Sequence, residues 1–192
     1  MRRLGLLALL ALAGCGGSSE PAAQPAAAPT ATPAEPVVDA PCRPARVHHR
    51  PYPGGDRRLD LIPWMRGEPR ELGLVGVLWY WNDEHWGGKA RTAWIFTGGE
   101  APEGYSAKVL WAFLAPAVKD RGGTELVVEG RNLSRAGKFR DTFAAIGYEG
   151  QNGAPSYASI IDLPTPGCWR LTLTTGDLRA HVDVRARSLA PG

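Results

Sequence analysis

The densest run of chemistry-bearing side chains is Leu78-Trp79-Tyr80-Trp81-Asn82-Asp83-Glu84-His85-Trp86-Gly87-Gly88. Indole rings beside carboxylates and an amide make a platform for stacking a sugar ring. Aromatic faces bury large area at small entropic cost, and polar neighbours fix orientation. On this reading the candidate ligand-binding residues are Trp81, His85 and Trp86, with Tyr105 further along. A plainer account is preferred: Trp79 and Trp81 share a strand face and fill a core, Tyr80 takes the other face, and residues 82–88 form a polar hairpin loop. Exposure of Trp86 decides between the two.

Metal chemistry has a weaker basis. His48-His49 could join Asp83, Glu84 or His85 if the N-terminal segment crossed that loop. Adjacent histidines on an extended chain point opposite ways, and no His-x-x-x-His or His-Glu-x-x-His spacing is present. His181 is expected to be a solvated strand residue. Hydrolytic chemistry would need a nucleophile. Ser156 and Ser159 lie in Pro-Ser-Tyr-Ala-Ser, which lacks the Gly-x-Ser-x-Gly elbow, although a triad is defined by geometry and not by chain order. Asp83 and Glu84 diverge on an extended backbone, and Gly98-Gly99 and Gly122-Gly123 open no helix that would cradle a phosphate. Asn132-Leu133-Ser134 matches a glycosylation sequon without further consequence. No catalytic residue, metal site or cofactor is assigned.

Cys15 carries a different chemistry. Met1-Arg2-Arg3 precedes a ten-residue run, Leu4 to Ala13, that is almost wholly apolar, and Gly14 and Cys15 follow. A charged start, a short apolar stretch and small residues before a cut describe an export signal. The run is too short to span a bilayer, which takes about 20 apolar residues. Leu12-Ala13-Gly14-Cys15 resembles the lipobox of bacterial lipoproteins. The resemblance implies cleavage before Cys15, a diacylglyceryl group on its thiol and an N-acyl chain on its amine. Three chains suffice for stable anchoring, where one does not. The implied address is the extracytoplasmic side of a bacterial membrane, inner or outer.

Behind that anchor, residues 16–41 hold six prolines and eight alanines, with no aromatic residue, Lys or Arg. Such a segment cannot bury enough apolar surface to offset its ordering entropy. It is expected to be a disordered spacer, extended where polyproline II prevails at about 3.1 Å per residue. The expected organisation is a signal peptide over 1–14, the lipidated cysteine and spacer over 15–41, and one domain over 42–192.

That domain holds every Trp, Tyr and Phe of the chain, and 20 Lys plus Arg against 16 Asp plus Glu, a net of +4. The excess reads as dispersed solvated surface, as at Arg57-Arg58, Arg131, Arg135, Arg140 and Arg185. Nucleic acid is not expected as a partner, since it needs basic residues clustered on one face. Leu178, Ala180, Val182, Val184 and Ala186 alternate with Arg179, His181, Asp183 and Arg185, the period of a half-buried antiparallel strand. Trp169, Leu171 and Leu173 alternate before it, and Thr175-Gly176-Asp177 supplies the hairpin turn. Further strands are read at Leu74–Trp81, Thr92–Thr97, Lys108–Phe113, Glu125–Gly130, Asp141–Ile146 and Tyr157–Asp162, with small helical turns near 115–120 or 133–138. The Arg- and Pro-rich stretch 43–72 has no clear periodicity and reads as loop over a sheet edge. Several short strands without a long 3.6-residue period predict an all-β, antiparallel, immunoglobulin-like sandwich of about seven to nine strands.

With Cys15 acylated, Cys42 and Cys168 remain as an even pair in an oxidising compartment and are predicted to bond. Two buried free thiols are the alternative. The stretch Pro155-Ser156 … Ile160-Ile161-Asp162-Leu163-Pro164-Thr165-Pro166-Gly167-Cys168-Trp169-Arg170-Leu171 resembles the C-terminal part of bacterial lipoproteins with an immunoglobulin-like domain. The resemblance implies a sandwich and an extracytoplasmic address, and it brings no catalytic residue. The expected function is a lipid-anchored binding or envelope-interaction module, with a glycan or envelope protein as partner. A carbohydrate-active or other hydrolytic enzyme and a metal-binding envelope protein are the alternatives.

Overall fold

The computed structural model describes residues 41–79, 92–97, 107–118, 120–146 and 154–188. Cys15, the segments assigned to signal and spacer up to residue 40, and the candidate residues Trp81, His85, Trp86 and Tyr105 lie outside these. The described chain is mostly β, with no α-helix. Its strands are β1 (Val47–His48), β2 (Trp64–Arg66), β3 (Leu74–Leu78), β4 (Trp94–Phe96), β5 (Lys108–Phe113), β6 (Glu125–Asn132), β7 (Lys138–Ile146), β8 (Ser156–Ile160), β9 (Gly167–Thr175) and β10 (Leu178–Arg187).

These strands form one ten-stranded sheet in the order β1-β2-β3-β5-β8-β7-β6-β9-β10-β4, curled into a half-barrel. The pairing is antiparallel except between β10 and β4. This differs from two separate sheets of seven to nine strands. One reason is β7, whose Lys138–Ala144 pairs with β6 while Ala145 and Ile146 pair with β8, so a single strand joins both halves. The other reason is that the stretch read as loop supplies β1 and β2, too short to show a period.

Side-chain alternation explains the core. On β10, Leu178, Ala180, Val182, Val184 and Ala186 are buried and join Leu171, Leu173 and Trp169 of β9 inside the curl. The β9–β10 hairpin turns at Gly176, whose φ of 55° is a left-handed conformation that glycine adopts without strain. β3 is buried at every position because it has two apolar neighbours. Leu74 and Leu78 face the main core, whereas Val75 and Val77 face a second cluster with Tyr52, Leu59, Trp64 and Leu110. Residues 50–63 thus cover the outer face of β2, β3 and β5.

The two ends of the strand order approach each other. Ala45 donates its N–H to Asp183 O at 2.7 Å and accepts from Ala93 N at 2.8 Å, and Arg46 bridges Thr92. Glu68 and His181 exchange both backbone hydrogen bonds, at 2.8 and 2.7 Å. Cys42 and Cys168 are disulfide-bonded with Cα atoms 5.9 Å apart, tying this N-terminal arm to β9.

Candidate functional site

A cleft of about 660 Å³ opens along that seam, between the outer faces of β1–β2 and β9–β10. Six of its described lining residues are arginines: Arg43, Arg46, Arg50, Arg66, Arg70 and Arg170. Only two acidic residues, Glu68 and Asp183, are among the described lining. Both are committed. Arg170 donates Nε to Asp183 Oδ1 at 2.8 Å and Nη2 to Oδ2 at 3.0 Å, a two-pronged pair with the carboxylate buried. Arg70 Nε meets Glu68 Oε1 at 3.3 Å on the exposed rim. Arg43, Arg46, Arg50 and Arg66 form no ion pair with a described carboxylate, so the lining keeps a strong positive excess.

The local fold gathers these charges from ordinary strand geometry. β1 and β2 pair antiparallel with Val47 opposite Met65 and His48 opposite Trp64. Val47 and Met65 point into the main core, so His48 and Trp64 stand on the outer face. Period 2 puts Arg46 on the face of His48, and Arg66 on the face of Trp64. Continuing the register sets Arg46 opposite Arg66. Like charges directly opposed across a strand pair destabilise it unless something of opposite sign lies between them.

Trp64 is the floor of this corner. It is fully buried, and its Nε1 donates to Arg50 O at 3.0 Å. The guanidiniums of Arg50 and Arg66 lie 5.2 and 5.7 Å from its ring centroid, within cation–π reach. His48 packs on the same ring at 4.2 Å. Burial, and then Arg50, Arg46, Arg66 and His49, hold the His48 pKa below the ordinary histidine value. Burial and the neighbouring cations thus both disfavour the imidazolium at this corner.

Other expectations meet different fates. His181 is not simply solvated: it is half-buried, tied by its backbone to Glu68, and lines the cleft. The chain's basic excess is not all dispersed, since the 43–70 arginines converge. Ser159 is buried, accepts Trp111 Nε1 at 2.8 Å and donates to Val109 O at 3.1 Å, which is a structural role. Asn132 of the sequon is also buried. Its amide donates to Thr165 Oγ1 and Pro166 O, and its oxygen accepts Ser134 N and Arg135 N, closing a turn. Gly122 and Gly123 serve packing: Gly123 O accepts the Tyr157 hydroxyl at 2.7 Å. Trp79 packs on the second cluster under Lys108, at 5.9 Å from its ring. His48 sits among arginines, a poor place for a cation, and the described residues contain no group of three metal-ligating side chains. No helix among the described residues is long and apolar enough to cross a membrane.

The cleft was within reach of the sequence. Arg46, His48 and Arg50 recur at every second position, one face of an extended strand. No known family model, curated protein or solved structure matches this chain.

Proposed function

We propose that this chain is a lipid-anchored, extracytoplasmic binding module that holds an acidic component of the cell envelope in its arginine cleft. The observation that carries the reading is the convergence of Arg43, Arg46, Arg50 and Arg66 without a described carboxylate partner. Guanidinium forks recognise oxyanions, and an unneutralised set raises local anion concentration. Charge by itself no longer argues against nucleic acid; the proposed address does. The address rests on the Leu12-Ala13-Gly14-Cys15 resemblance, and the alanine–proline segment behind it is the spacer that displays the domain. An immunoglobulin-like sandwich is the finer reading of the fold, and it rests on the resemblance of the stretch 155–171, while β7 joins the two halves into one sheet.

Two measurements test this. Palmitate labelling should mark the full chain and be lost in Cys15→Ser, which should move from the membrane to the soluble fraction. On a dextran sulfate column, the full chain should elute at higher salt than its Arg43→Glu/Arg46→Glu variant. Identical elution would remove the cleft as the binding surface, and an unlabelled wild-type chain would remove the anchor.

A further inference from the structure

We infer that the cleft is a site for a phosphomonoester carried on a sugar-sized body. This inference rests on reading the cleft as the binding surface, and it specifies the ligand.

The first argument is the facing pair. Arg46 and Arg66 oppose each other on the outer face of β1–β2, and Arg50 flanks them over Trp64. A carboxylate has two oxygens and one charge, which one guanidinium fork satisfies. A phosphomonoester has three terminal oxygens and up to two charges near neutral pH, so it can bridge two or three forks at once. A ligand of that kind can engage the whole corner at once.

The second argument is size and lining. A volume of about 660 Å³ is far larger than a bare phosphate needs and lies in the range of ordinary small-ligand sites. The phosphate corner occupies one end. Toward β10, half-buried His181 and the Arg170–Asp183 pair offer hydrogen-bonding groups. Those groups suit the hydroxyls of a sugar. The phosphate can belong to a soluble sugar phosphate or to the headgroup of a phosphorylated lipid, since the recognising chemistry is shared.

The test uses the full chain carrying Cys15→Ser, so that acyl chains do not drive vesicle binding. Calorimetry should show glucose 6-phosphate binding at least about tenfold more tightly than glucuronate, with glucose undetected. Arg46→Gln/Arg66→Gln should weaken glucose 6-phosphate by about tenfold or more at an unchanged melting temperature, while the exposed Arg179→Gln should not. Sedimentation with phosphatidylcholine vesicles containing phosphatidic acid assigns the source. Capture that depends on Arg46 and Arg66 places the phosphate on a lipid, and sugar phosphate binding without capture places it on a soluble ligand. Equal or tighter binding of glucuronate would overturn the phosphate inference and leave an acidic-ligand cleft standing. Binding of none of these probes would overturn both, and equal loss in Arg179→Gln would reduce the effect to net charge.

Discussion

His48 lies directly opposite Trp64 across β1–β2, with ring centroids 4.2 Å apart and planes tilted by 32°. Its pKa is held below 6.5 by burial first, and then by Arg50, Arg46 and Arg66. Above that value the imidazole is neutral in folded and unfolded chains alike, and its packing contribution is intact. As pH falls below it, the unfolded chain takes the proton before the folded one does. Stability should therefore decline with falling pH between 6.5 and the lower folded value. Urea unfolding at pH 7.5, 6.5 and 5.5 should show the decline, and His48→Gln should flatten it. An unchanged slope in that variant would mean that neither burial nor the arginines depress His48 enough to set the slope.

Arg170 and Asp183 separate stability from binding. Asp183 is buried, and its carboxylate is held by both prongs of the Arg170 fork. Asp183→Asn should lower stability by about 1.5–3 kcal/mol, the range for hydrogen bonds to a charged group. The same change frees a guanidinium and raises the cleft's charge. Retention on a polyanion should then shift to higher salt even as the melting temperature falls. A fall in both would place Asp183 in the binding geometry itself.

Gly176 should accept no side chain. Its φ is +55°, and an added Cβ would stand 2.4 Å from Arg121 O, a backbone atom that cannot swing aside. Gly176→Ala therefore combines a left-handed penalty of about 1–2 kcal/mol with a clash. Asparagine tolerates the left-handed region but meets the same oxygen, so Gly176→Asn should recover little. Thermal melts of the two variants check this.

Opening the Cys42–Cys168 bond should cost up to about 5 kcal/mol in the chain-entropy view of a crosslink spanning 126 residues. It should also loosen Arg43 and Arg46, which follow directly on Cys42. The Cys42→Ser/Cys168→Ser variant is expected to melt at lower temperature and bind polyanions more weakly. Unaltered binding at reduced stability would show that the Ala45 hydrogen bonds alone hold the arm.

The β9–β10 hairpin was legible because nine alternating residues and a glycine turn say the same thing at two levels. The Cys42–Cys168 pair was legible from parity. Strands β5 and β10 sit where their apolar runs predict, and β3 begins on time. By contrast, β1 and β2 are two and three residues long, too short for an alternation to repeat. The cleft was harder still. Its charges come from residues 43–50, 66–70, 170 and 181–183, and long-range links at Ala45, Glu68 and the Cys42–Cys168 bond bring them together. The one local clue, Arg46-x-His48-x-Arg50, is hidden among prolines that suggest loop. Trp81, His85, Trp86 and Tyr105 lie outside the described residues.

The position of Cys42 has a mechanical consequence. Among the described residues, a pull entering at Pro41 reaches the Cys42–Cys168 bond first. The load passes to Cys168 on β9, a strand with partners on both sides, and skips the arginine arm altogether. In the proposed tethered display, strain on the anchor would run past the cleft and leave its grip unloaded.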